Sequence, residues 1–92
     1  MSDVRQSVTI VNQRGLHARA SAKFVGAVAA LEQNVKVQVA KDAKAAAGGS
    51  ILGLMMLGAA KGDTVEVIVE GDSAEAVLAQ LVGLIEDGFG EE

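Results

Sequence analysis

Two short segments alternate apolar and polar residues without a break: VKVQVA at 35–40 and TVEVIVE at 64–70. A period of two marks a half-buried strand, because successive side chains point to opposite faces. Residues 4–11, VRQSVTIV, put Val4, Val8 and Ile10 on alternating positions and read as a further strand. The segments between follow a different period. From Ala18 to about Leu31, Phe24, Val28 and Leu31 recur at i, i+4 and i+7, one face of an amphipathic helix. Ser50 is a plausible N-cap for a short apolar helix, ILGLMML. Asp72 or Ser73 caps a last helix in which Val77, Leu81, Leu84 and Ile85 share a face, and Gly88 fits its stop. Residues 42–49 read as a turn, a short edge strand and a glycine loop, and 12–15 and 58–63 as turns. The predicted order is βαββαβα. Few strands with short connections imply an antiparallel or mixed sheet with helices on one face, the α+β arrangement.

A length of 92 residues fits one domain, 1–92, and half the residues are hydrophobic, enough for a small core. There is no cysteine, so neither a disulfide framework nor thiolate chemistry is available. A single histidine makes a zinc site unlike this chain, and no cofactor is expected. No apolar run approaches the roughly 20 residues that span a bilayer, and MSDVRQSV lacks a signal core, so no membrane insertion and a cytoplasmic location are expected. The net charge of −4 and only two aromatic residues argue against a nucleic-acid partner. The charge is unevenly distributed. Residues 1–61 hold all eight Lys and Arg with three acids, whereas 62–92 hold nine acids and no base. A locally positive face on an acidic protein suits a small anion or an acidic partner.

That positive face gathers around the only histidine. In RGLHARASAKFV (14–25), Arg14, Arg19 and Lys23 surround His17, which follows Gly15-Leu16 and precedes the first helix. If His17 is the N-cap, the amides of Ala18, Arg19 and Ala20 have no intrahelical partner and can hold an anion's oxygens. The helix dipole disfavours imidazolium there and leaves a lone pair free. Such an imidazole beside an anion site is a nucleophile for a phosphoryl group. Arg19 can neutralise the transferred group through charge-assisted hydrogen bonds. A histidine in this position can also be a plain cap. The flanking Gly, Arg and Lys favour the functional reading.

GLHAR, followed by GSILGLMML, GDTVEV and IEDGFGE, resembles the HPr family, the histidine-containing phosphocarriers of the bacterial phosphoenolpyruvate-dependent phosphotransferase system. The resemblance covers nearly the whole chain. It implies an open-faced β-sandwich, a four-stranded antiparallel sheet covered by three helices. It also implies that His17 carries the phosphoryl group on Nδ1, that Arg19 contacts it, that enzyme I is the donor and that an enzyme IIA component is the acceptor. Ser50 matches a serine that an HPr kinase/phosphorylase modifies in some members. Three positions depart from the usual pattern. Ala20 replaces a proline, which removes no reacting group. Gly49 replaces the lysine that often precedes the serine. Arg14 stands before Gly15 and, with GGSILGLMML, leans toward the nitrogen-type branch.

Docking calls for an apolar patch beside the site, with Leu16, Ile51, Leu52 and Met55 as candidates and Leu54 and Leu57 assigned to the core. Arg19 and Lys23 would meet acids on the partner. The phosphorylated ring has to be handed on, so an exposed His17 is expected. A protein-interaction module without phosphoryl transfer is the alternative. An enzyme is disfavoured, because no triad or paired carboxylates accompany the histidine.

Overall fold

A computed structural model describes residues 3–91; the outermost residues of the expected 1–92 domain lie outside that range. The elements run β1 (Val4–Thr9), α1 (Ala18–Ala29), β2 (Val35–Lys41), β3 (Lys44–Ala47), α2 (Ile51–Met56), β4 (Thr64–Gly71) and α3 (Ala74–Glu86). A 3-10 turn, Gly88–Gly90, follows α3. The βαββαβα order is as the sequence implies, and the four strands form one antiparallel sheet in the order β1-β4-β2-β3.

The alternating valines set the register. Val8 pairs with Val65 and Val4 with Val69, while across β4 Val37 opposes Val69 and Val39 opposes Val67. A slip of one residue would send each of these rows to solvent. In this register Val37, Val39, Val65, Val67 and Val69 are all buried on one face. The helices cover that face. Phe24 of α1, Leu54 of α2, and Val77, Leu81 and Ile85 of α3 complete the core. Leu84, expected on the α3 core face, is only half-buried, and Leu78 and Val82 are buried instead. None of the described helices is long and apolar enough to cross a membrane.

Several boundaries differ from expectation. β1 stops at Thr9, although Ile10 remains buried and its amide donates to the Asp63 carbonyl at 2.8 Å. α1 ends at Ala29, with Leu31 outside it but half-buried. Ser73 does occupy the N-cap position of α3, yet its backbone is left-handed (φ 56°) and its side chain makes no capping bond. The αL geometry that closes β4 onto α3 takes the hydroxyl away from the helix amides. Ser50 caps α2 as expected, accepting from the Gly53 amide at 2.9 Å.

Candidate functional site

The loop before α1 is shaped by one close approach. Gly15 has φ +61°, and the Leu16 amide donates to the Ala59 carbonyl at 3.0 Å. A Cβ on Gly15 would collide with that same carbonyl oxygen. Only glycine adopts this backbone against a wall without cost. The turn buries Leu16 and delivers His17 to the helix start. Leu16, expected on the docking surface, is therefore core: it is 7% exposed. Its carbonyl accepts from the buried Ser21 hydroxyl at 3.2 Å.

His17 is the N-cap of α1, with extended backbone, and its carbonyl accepts the Ser21 amide at 2.9 Å. Its Nδ1 accepts from the Arg19 amide at 3.3 Å. This bond is long for N–H···O-type geometry and correspondingly weak. The amides of Ala18 and Ala20 occupy the first turn, where no intrahelical acceptor exists. The Arg19 side chain is exposed and forms no ion pair among the described residues.

The other ring nitrogen has a partner that the motif does not announce. Nε2 lies 2.6 Å from Glu91 Oε2. The second carboxylate oxygen accepts from Asn12 Nδ2 at 3.1 Å, and Asn12 Nδ2 also donates to the Gly15 carbonyl at 2.8 Å. The side chains of His17 and Glu91 are each only 15% exposed. The expectation of an open imidazole is thus corrected: the ring faces the helix amides as foreseen, but the C-terminal segment folds across its other edge. Burial by itself pushes the Glu91 carboxyl up; hydrogen bonds from Asn12 and His17 and electrostatic attraction to His17 and Lys23 outweigh it and hold the carboxyl below its ordinary value.

The segment that carries Glu91 is firmly mounted. Gly88, Phe89 and Gly90 all have positive φ, and the Phe89 ring is buried in the core. Lys23 Nζ donates to the Phe89 carbonyl at 2.8 Å, which ties α1 to this turn. The ring itself lines a cleft of about 410 Å³ together with Gln13, Arg14, Arg19, Lys23, Gly90 and Glu91. The three basic residues expected near His17 do converge there. No cluster of metal-ligating residues occurs among the described residues.

The short helix α2 packs against α1. Ile51, Leu52 and Met55 are exposed as expected, and Leu54 and Leu57 are buried. Met56, not among the expected patch residues, is 67% exposed and extends the apolar surface. Its place beside Met55 on a helix apolar nearly all round was the available signal. Asn12 and Glu91 were also missed. For Glu91 the only local sign was GFG, a phenylalanine between two glycines just after a helix end. For Asn12 there was none beyond its place in a turn.

Residues 4–87 match the family described as the PTS HPr component phosphorylation site. The phosphocarrier protein HPr of Neisseria meningitidis is 46% identical over 96% of this chain and 97% of its own length. The phosphocarrier protein NPr of Shewanella violacea is 35% identical over 99% and 98%. The crystal structure of HPr-C-His from Thermoanaerobacter tengcongensis superposes with a TM-score of 0.85 at 40% identity, covering 100% of this chain and 99% of that one.

Proposed function

The chain belongs to the HPr family of phosphocarriers of the phosphotransferase system, and from that premise we propose that His17 accepts the phosphoryl group on Nδ1 from phospho-enzyme I and passes it to a IIA component. The carrying observation is the placement of Nδ1 against the first-turn amide of α1, at the mouth of a cleft edged by Arg14, Arg19 and Lys23.

The chemistry asks little covalent help from the carrier, because phosphoryl transfer depends mainly on positioning and on charge neutralisation. Attack uses the Nδ1 lone pair. The weak bond from the Arg19 amide is released at that moment, and the same N–H, with its first-turn neighbours, then turns to a phosphoryl oxygen. The partial positive charge of the helix end favours the anion. The Arg19 guanidinium, free to swing in from solvent, supplies the full charge. Lys23 keeps two ammonium protons beyond the one given to Phe89.

Docking uses the exposed face of α2. Ile51, Leu52, Met55 and Met56 expose apolar side chains on this one short helix, and flexible methionine side chains suit a surface that meets more than one partner. Ser50 sits at the start of this helix, so phosphorylation there by an HPr kinase/phosphorylase would place a near-dianion beside the patch and weaken the encounter with acidic partners.

The test is incubation with enzyme I and labelled phosphoenolpyruvate. Wild-type protein takes up acid-labile, base-stable phosphate and His17→Ala takes up none. Label entering His17→Ala at the wild-type rate refutes the assignment. A protein that binds enzyme I but never becomes labelled is an interaction module instead.

A further inference from the structure

Glu91 lies beyond the segment 4–87 that the family match covers, yet it makes the shortest polar contact in the site. We propose that Glu91, held by Asn12, is a positioning residue for phosphoryl transfer: its carboxylate accepts the Nε2 proton of His17 and so presents the Nδ1 lone pair to the phosphorus. The inference rests on the reading of His17 as the phosphoryl acceptor.

Both ring contacts select one tautomer. Nδ1 accepts the Arg19 N–H, which requires that Nδ1 carry no proton. Nε2 sits 2.6 Å from a carboxylate oxygen, which requires that Nε2 carry one. A carboxylate on the far nitrogen of a histidine fixes ring orientation and raises the basicity of the near one. The separation is at or below the usual range for charge-assisted N–H···O bonds.

The carboxylate is itself oriented. Asn12 is buried, and its Nδ2 serves two acceptors, Glu91 Oε1 and the Gly15 carbonyl. Turning the amide over would point its oxygen at both acceptors, so the arrangement is unambiguous. Its cost is visible in Asn12 Oδ1, which is buried without a hydrogen-bond partner. The backbone under Glu91 carries strain as well, since Phe89 holds φ +58°. Strain of this kind persists where surrounding contacts over-determine it. Here those contacts are the buried Phe89 ring and the Lys23 bond to its carbonyl.

The transfer balances without a proton leaving His17. The donor is a phosphohistidine whose other ring nitrogen is protonated. Its N–P bond breaks and the electron pair returns to the donor ring, leaving a neutral imidazole. The Nδ1 pair of His17 forms the new N–P bond. The His17 ring keeps its Nε2 proton, becomes cationic, and faces the Glu91 carboxylate. Glu91 thus interacts more strongly with the product ring, and with the transition state leading to it, than with the neutral starting ring.

The experiment combines ring NMR of the unphosphorylated protein with the kinetics of phosphoryl acceptance from phospho-enzyme I, for wild type, Glu91→Gln and Glu91→Ala. Wild type should show a downfield Nε2–H signal protected from solvent exchange and a Nδ1 of unprotonated character. Glu91→Ala should lose that signal, and its kcat for acceptance should fall roughly tenfold with KM within about twofold, by analogy with carboxylates that orient metal-bound histidines, whose loss costs about 10–100-fold. Glu91→Gln keeps an acceptor oxygen without the charge and should lie between. Glu91→Ala accepting phosphate at the wild-type rate or faster overturns the positioning role, the faster rate marking Glu91 as an obstruction. Absence of a protected Nε2–H in wild type overturns it too. Wild-type protein that takes no label at all overturns the reading of His17, and the positioning role with it.

Discussion

Gly15 and Ala59 meet so closely that no side chain can stand between them: a Cβ at Gly15 would overlap the Ala59 carbonyl oxygen and lie 2.8 Å from Ala60 Cα. The contact joins the loop before α1 to the loop before β4, and it sets the direction from which His17 enters the helix. Gly15→Ala should therefore be costly on two counts, a left-handed backbone (φ +61°) and a backbone clash. A loss of about 2–4 kcal/mol in urea unfolding is expected. An alanine variant as stable as wild type would show that the two loops separate freely.

Ser50 should separate two effects in one position. Ser50→Ala removes the bond to the Gly53 amide and should cost about 1 kcal/mol in chemical denaturation. Ser50→Asp keeps a capping oxygen and adds charge at a helix N-terminus, so its stability should stay within about 0.5 kcal/mol of wild type. The same variant should bind enzyme I more weakly. Equal affinity in a titration would remove Ser50 from the docking surface.

Leu52 and Leu54 lie two residues apart on α2 and should behave oppositely. Leu54 is fully buried, and Leu54→Ala should lose about 2–5 kcal/mol of stability. Leu52 is 68% exposed, and Leu52→Ala should change stability by no more than about 0.5 kcal/mol. Its affinity for enzyme I should fall instead, measurable by calorimetry. A destabilised Leu52→Ala with unchanged affinity would place the patch elsewhere.

Glu91 predicts a pH dependence with a definite sign. Its carboxyl is held below its ordinary value in the folded chain. The unfolded chain therefore binds the proton first as pH falls, and stability rises with pH across that window. The contribution is complete above the ordinary carboxylate value of about 4.3 and is lost as pH drops through the lower folded value. Unfolding free energies of wild type and Glu91→Gln should differ by a constant amount above that value and converge as pH falls through the lower folded value. A constant difference at every pH would mean that Glu91 is not titrating against His17 and Asn12.

What was legible in the chain was what neighbouring residues decide among themselves. The valines of 35–40 and 64–70 announce strands because alternation is a property of the pleat, and the observed β2 and β4 extend them by one residue each. His17 and Ser50 announce helix starts because a cap acts within three residues. Arg19 and Lys23 lie one turn apart on α1, so their approach to each other follows from the helix, and Arg14 stands only three residues before His17 in the preceding turn. The tertiary structure alone decided which way Leu16 turns, since that depends on the wall formed by Ala59. It alone brought Glu91 onto a ring 74 residues earlier in the chain. Neither contact leaves a periodic trace, because each joins segments far apart in the chain that only the packed sheet and helices bring together.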